Sequence, residues 1–164
     1  MRLTTLCYIE QNDSYLMLHR TKKEKDVNKG KWIGVGGKFE VNESPVDCLK
    51  REVKEETGLI LERFYYRGVI TFIYNDRPAE YMHLYTADRF SGTLKKCDEG
   101  ELAWIPFTDI DRLNLWEGDR IFLDLLAQDY PCFSLKLIYH NDNLLQAVLD
   151  DEILDDNRRG DIIK

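Results

Sequence analysis

The stretch from Gly36 to Leu59, GGKFEVNESPVDCLKREVKEETGL, constrains this chain more than any other part of it. It spells out a helix with both ends marked. Ser44 can cap the start, Pro45 suits the first turn, and Asp47 stands where a capping-box acid would. Gly58 can close the far end in the left-handed conformation. The expected helix is therefore Pro45 to Thr57. At about 100° per residue, Val46, Leu49 and Val53 share one stripe, fit to pack on a sheet. Lys50, Lys54 and Asp47 lie roughly opposite, towards water. Glu52, Glu55 and Glu56 are spaced i, i+3, i+4 and share a face beside the apolar stripe, where like charges repel. A glutamate-rich helix is most often just a wet face. Here the lysines hold the centre of the wet face, and the glutamates sit at its boundary with the core. A shared cation there would be partly enclosed. Clustered carboxylate oxygens suit Mg²⁺ or Mn²⁺, hard ions that prefer oxygen ligands.

The rest of the chain alternates short β-rich runs with turns. Residues 3–9 and 14–20 read as a hairpin around Gln11-Asn12-Asp13. A basic polar loop, TKKEKDVNKGK at 21–31, leads into the glycine-rich WIGVGGKF. Residues 64–74 and 81–87 read as strands, with Asn75-Asp76-Arg77-Pro78 as the turn. Glycines 92 and 100 bracket a connection, and AWIPF at 103–107 reads as a short strand. Residues 119–128 put Phe122, Leu125 and Leu126 on one helical stripe, with Asp119 at a capping position. Residues 133–139 and 144–149 read as a last hairpin, although LLQAVL fits a helix equally well. The count is one mixed α/β domain over residues 1–154, with 155–164 as a loose tail.

Composition narrows the function. With 164 residues, 43% apolar and 32% charged, the chain can build a sizeable core and is not of disordered type. No apolar run approaches the ~18 residues that cross a bilayer, and MRLTTLCYIE lacks the layout of a signal peptide. A cytosolic location away from membranes is the expectation. The four scattered cysteines, Cys7, Cys48, Cys97 and Cys132, form no C-x-x-C pair, so reduced thiols are expected and zinc is not. A net charge of −7 argues against a nucleic acid polymer as partner. It leaves room for a small phosphorylated ligand bridged by metal ions. GVGGK is neither a P-loop nor a dinucleotide fingerprint. Nothing in the sequence fixes an oligomeric state.

From Gly37 the pattern runs Gly37, five residues, Glu43, seven residues, Arg51-Glu52-Val53, one residue, Glu55-Glu56, one residue, Gly58-Leu59. This resembles the Nudix box, GX5EX7REUXEEXGU with U apolar, at every specified position. If each fixed residue occurs at roughly 7%, a random window matches on the order of once in 10⁹. The resemblance to Nudix hydrolases implies an α/β fold, a mixed β-sheet sandwiched between α-helices. It implies that Glu52, Glu55, Glu56 and the Gly37 carbonyl ligate Mg²⁺ or Mn²⁺. It implies that Arg51 holds Glu43 and nearby carboxylates in place, and that Glu56 or Glu52 acts as base towards water. Family members often add an acid from a later loop; in CDEGELAW the choices are Asp98, Glu99 and Glu101, and Glu99 fits best by its distance before Trp104. Arg20, Lys22 and Lys23 precede the glycine loop and could reach phosphates.

Beyond the box, from about Leu3 to Leu149, the chain resembles MutT-like oxidised-purine nucleoside triphosphatases. GKWIGVGGK, ITFIY, LWEGDRIFLDLL and an F-x-L-x-Y strand carry that likeness. It implies that Trp116 stacks on the base, with Phe72 and Tyr74 on the pocket wall and Asp119 reading the purine edge. Core packing for Trp116 and helix capping for Asp119 are the competing roles. Two departures point to a broader or different base preference. Ile33 follows Trp32 where the animal enzymes carry Asn, and Gly118-Asp119 replaces two adjacent acids. The implied activity is Mg²⁺-dependent hydrolysis of an oxidised purine dNTP, of the 8-oxo-dGTP type, to nucleoside monophosphate and pyrophosphate. Alternatives are another nucleoside diphosphate conjugate (ADP-ribose, a dinucleoside polyphosphate or a nucleotide sugar) or a non-catalytic nucleotide sensor.

Overall fold

A computed structural model describes residues 1–155 of the chain. The elements in order are β1 (Arg2–Gln11), β2 (Ser14–Arg20), β3 (Trp32–Ile33), α1 (Pro45–Thr57), β4 (Leu59–Tyr74) and β5 (Glu80–Gly92). β6 (Gly100–Pro106), a 3₁₀ helix (Phe107–Arg112), α2 (Glu117–Ala127), β7 (Phe133–His140), β8 (Asn143–Leu149) and β9 (Glu152–Leu154) follow. They make a mixed sheet with helices. The described residues form two compact units, and β4 and β5 contribute residues to both. Apart from Asp155, the tail expected to be loose lies outside the described residues. Among the described residues no helix is long and apolar enough to cross a membrane.

The first unit holds residues 4–65 and 85–115. Its β1–β2 hairpin pairs Ile9 with Leu16 and Gln11 with Ser14. Asn12 and Asp13 both take positive φ, 51° and 56°, as a tight two-residue turn between right-twisted strands requires. β2 is also antiparallel to β3 and to β6, the latter from Ser14↔Pro106 to Arg20↔Gly100. Helix α1 has the expected bounds. Ser44 accepts from the Asp47 amide while Asp47 accepts from the Ser44 amide, and Gly58 ends the helix at φ 81°. Leu49 and Val53 are fully buried in a core with Cys7, Ile9, Leu16, Leu18, Val35 and Leu59. Each such side chain contributes roughly 1.5–3 kcal/mol of burial.

The second unit holds residues 1–3, 66–84 and, among the described residues, 116–155. Here β7 runs parallel to β4 and antiparallel to β8, which pairs in turn with β9. β7 shows the two-residue period of a half-buried strand: Phe133, Leu135, Leu137 and Tyr139 are buried, while Ser134, Lys136 and His140 are exposed. Phe122, Leu125 and Leu126 of α2 are buried, as their shared stripe implies.

Several boundaries differ from expectation. β4 begins at Leu59 rather than residue 64, and β5 reaches Gly92 rather than residue 87. The missed ends are charged, and charge reads as loop. In the fold those charges pair across the strands, Arg63 with Asp88 at 2.6 Å and Arg89 with Glu62 at 3.5 Å. β6 starts at Gly100 rather than residue 103. LLQAVL is a strand, and β9 was not anticipated. Helix α2 starts at Glu117, which corrects the capping role for Asp119. Trp116 is the N-cap residue and makes no side-chain cap bond, while Asp119 is buried in the first turn. The cysteines are free thiols, as expected.

The capping box gives a direct test. Ser44→Ala should lower unfolding stability by about 1 kcal/mol, read as a shifted urea midpoint at constant slope. An unchanged midpoint would show that the box adds nothing to the helix.

Candidate active site

Two backbone segments of the first unit meet at the acidic helix. The loop after β3 is tied to β1: the Thr5 amide donates to the Gly37 carbonyl at 2.9 Å, and Val35 and Cys7 exchange both backbone bonds. A side chain at Gly36 would collide with the Thr5 carbonyl. At Gly37 a Cβ would fall on the Glu52 carboxylate, 2.7 Å from its Oε1. The double glycine is therefore what lets a strand-bound loop lie against a helix bearing carboxylates.

The glutamates of α1 occupy three different environments. Glu56 is buried, and its Oε2 accepts from the Gly36 amide at 3.1 Å. Glu52 has a side chain 15% exposed, and Glu55 one 58% exposed. Arg51 gathers the rest. Its Nε and Nη2 form a fork on both oxygens of Glu43, each at 2.7 Å. Its Nη1 donates to Glu52 at 2.8 Å and to Glu55 at 3.2 Å, and Nη2 also donates to the Lys38 carbonyl at 2.9 Å. Two parallel charge-assisted bonds fix geometry as well as charge.

Proton affinities follow from this layout. The Arg51 hydrogen bonds, helped by the Glu40 amide, hold Glu43 down at about 2. Its bonds to Glu43 raise the pKa of Arg51 itself. Burial raises Glu52, opposed by the Arg51 hydrogen bond and reinforced by the charges of Glu55 and Glu99. Glu56 is pushed up to about 8, first by burial and then by the charge of Glu99; the Gly36 amide pulls the other way.

Glu99 stands just before β6 and belongs to a second cluster. Arg20 Nη1 donates to Glu99 Oε2 at 2.6 Å, Arg20 Nε to Asp26 Oδ2 at 2.7 Å, and Lys23 Nζ to Glu99 Oε1 at 3.1 Å. Arg20 and Lys23, expected near phosphate, thus already engage an acid. Lys22 Nζ donates instead to the Cys97 carbonyl at 3.0 Å. Asp26 is the participant that the sequence did not single out. Six residues from Arg20 in a polar loop, it belongs to no motif.

No three Asp, Glu, His or Cys side chains among the described residues converge on a single coordination point. The donor set nevertheless suits a hard divalent cation. It is all oxygen, partly buried, and self-repelling at Glu52, Glu56 and Glu99.

In the second unit Trp116 is buried, with Phe72, Tyr74 and Tyr139 edge-on at ring-centre distances of 5.4, 5.9 and 5.0 Å. Phe72 and Tyr74, both half-buried, stack at 6.1 Å and 9°. The aromatic residues expected together are together. Tyr139 joins them and also accepts from the buried Gly118 amide at 2.7 Å.

The family model described as NUDIX domain matches residues 1–126. The chain belongs to the Nudix family. Among curated relatives, this Nudix chain is 33% identical over 129 residues to the mouse oxidized purine nucleoside triphosphate hydrolase, covering 77% of this chain and 80% of that one. It is 32% identical over 133 residues to an uncharacterized Nudix hydrolase of Bacillus subtilis, covering 78% and 80%. Among solved structures, a MutT protein from Bacillus halodurans superposes with a TM-score of 0.82 at 25% identity, covering 93% of this chain and 99% of that one.

The raised Glu56 has a signed consequence for stability. Between its ordinary value of 4.5 and about 8, the folded chain holds a proton that the unfolded chain has released. Its contribution therefore turns unfavourable as pH rises through that window. In chelator, Glu56→Gln should stabilise the protein at pH 8 and change little at pH 4.5, measured by urea unfolding at both pH values. An equal effect at both would show that Glu56 is not held protonated.

Proposed function

We propose that this chain is a divalent-metal-dependent nucleotide pyrophosphohydrolase that clears oxidised purine deoxynucleoside triphosphates, of the 8-oxo-dGTP type, from the cytosolic pool. The observation that carries it is the confinement of Glu56 and Glu52, beside the charge of Glu99, against the backbone of Gly36 and Gly37. Such confinement opposes stability unless a cation relieves it. The substrate class rests on the likeness to the mouse oxidized purine nucleoside triphosphate hydrolase. Residues 1–154 would act as one Nudix domain.

The Gly37 carbonyl, Glu52, Glu55, Glu56 and Glu99 would hold Mg²⁺ or Mn²⁺. When bound, the cation neutralises phosphate charge and acidifies water near the phosphoanhydride. Glu56 is the group proposed to take the proton of the attacking water, with Glu52 as the alternative. Water oxygen bonds to phosphorus, the bridging P–O bond breaks, and pyrophosphate leaves with the electron pair. The Gly36 amide orients the Glu56 carboxylate during this step. Arg51 keeps Glu43, Glu52 and Glu55 from drifting, as supporting residues around metal ligands do. Lys23, exposed and long, is proposed to meet phosphate. Trp116, Phe72, Tyr74 and Asp119 are proposed to recognise the purine, and Gly118 and Ile33 to set a base preference of this chain's own.

Glu56→Gln should cut turnover by about 10²- to 10⁴-fold while leaving circular dichroism unchanged; an undiminished rate removes Glu56 from the reaction. A panel of nucleoside triphosphates and diphosphate conjugates with Mg²⁺, scored for pyrophosphate and phosphate, tests the substrate. Faster turnover of 8-oxo-dGTP than dGTP is expected, and equal turnover would refute the preference for oxidised purines.

A further inference from the structure

Arg20 is built into the protein more firmly than a phosphate-contacting side chain needs to be. Its backbone amide donates to the Lys31 carbonyl at 3.0 Å, and its carbonyl accepts from Gly30 at 2.7 Å. Its side chain is only 14% exposed. One end of the guanidinium is fixed by Asp26, 9% exposed, whose other oxygen accepts from the Asn28 amide at 3.0 Å. The other end holds Glu99. The loop bearing Glu99 is anchored to the same region. Lys22 bonds the Cys97 and Glu99 carbonyls, and Arg20 pairs in register with Gly100, where a side chain would collide with the His19 carbonyl.

The two cations on Glu99 are not equivalent. Arg20 grips Oε2 from within the protein. Lys23 reaches Oε1 with a side chain 60% exposed, and ion pairs of that kind are weak and screened by salt. One carboxylate oxygen is therefore fixed while the other is covered by a partner that leaves easily.

We propose that Arg20, oriented by Asp26, is a positioning residue that presents Glu99 as an auxiliary acid of the cation site, with Lys23 as a releasable counter-ion on its second oxygen. This rests on the proposed metal-dependent hydrolysis. It assigns Arg20 to Glu99 rather than to phosphate, and it makes only one of the two cations on Glu99 a support of the site. Losing Arg20 or Asp26 frees Glu99 to swing away. Losing Lys23 removes a competitor for its oxygen and frees no other group.

The test is Mn²⁺ binding to nucleotide-free protein, by titration calorimetry and by the loss of the free-ion paramagnetic resonance signal. Arg20→Gln and Asp26→Asn should each weaken Mn²⁺ by about 10-fold, the lower end of what supporting residues contribute. Arg20→Lys should fail to restore it, because one ammonium cannot bridge Asp26 and Glu99. Lys23→Gln should leave affinity equal or tighter. In a Glu99→Gln background, Arg20→Gln and Asp26→Asn should add nothing further, since a residue acting through Glu99 has nothing left to position. Asp26→Asn, nearly isosteric, supplies the answer should Arg20→Gln not fold. The proposal is overturned if the Arg20 or Asp26 effect persists undiminished without Glu99. It is also overturned if the variants raise KM for nucleotide with Mn²⁺ affinity intact, the signature of a phosphate contact. Glu56→Gln in the same assay separates the two readings. Loss of Mn²⁺ binding there, with Glu99→Gln and Arg20→Gln silent, refutes the positioning role and leaves the hydrolase reading standing.

Discussion

Confined negative charge is the constraint around which the first unit is arranged. Water would hydrate the carboxylates of Glu52, Glu99 and the buried Glu56 far better than the protein does, and mutual repulsion adds to the cost. Local devices offset this. The Gly36 amide faces one Glu56 oxygen, and Arg51 and Arg20 each bind more than one carboxylate. Neither arginine neutralises its cluster. The carboxylates left over repel one another, and this raises the proton affinity of Glu52 and Glu56 beyond what burial alone does.

The two arginines solve similar problems from opposite ends of the sequence scale. Arg51 serves acids within one helix and its preceding loop, none farther along the chain than Glu40, so its bonds need only the helix and that loop. Arg20 binds Glu99, 79 positions away, and therefore needs β2 and β6 paired in register first. A defect in that pairing would reach Glu99 directly while leaving the Arg51 network intact. Glycine has a parallel double role. At Gly36 and Gly37 it admits the Thr5 carbonyl and the Glu52 carboxylate, whereas at Gly58 it supplies the left-handed turn that ends α1.

The second unit shows a different balance. Trp116 has three aromatic neighbours edge-on and little exposed surface, so packing accounts for most of what its ring does in the free protein. Phe72 and Tyr74 keep more of their faces accessible. The Gly118 amide is bonded to the Tyr139 hydroxyl, and a side chain at Gly118 would collide with Leu137 and Tyr139. Glycine at this position is therefore built into the packing.

The sequence by itself determined helix α1 to its ends, because capping, proline and glycine signals act over a few residues and need no tertiary partner. It also determined the family, since the spacing of the Nudix box is fixed along one helix and the loop before it. Only the tertiary structure decided how the acids on that helix differ. Glu56 is buried, Glu52 half-buried and Glu55 in water because the core meets the helix on one side and the glycine loop on another, neither of which helical periodicity reports. The charged extensions of β4 and β5 stayed hidden for the same reason: Arg63 and Arg89 read as loop until Asp88 and Glu62 face them across the sheet. Asp26 was invisible altogether, because its significance lies in an arginine six residues away whose other hand holds Glu99. Short-range chemistry is written in the chain, whereas long-range charge pairing exists only once strand register brings distant residues within about 3 Å of each other.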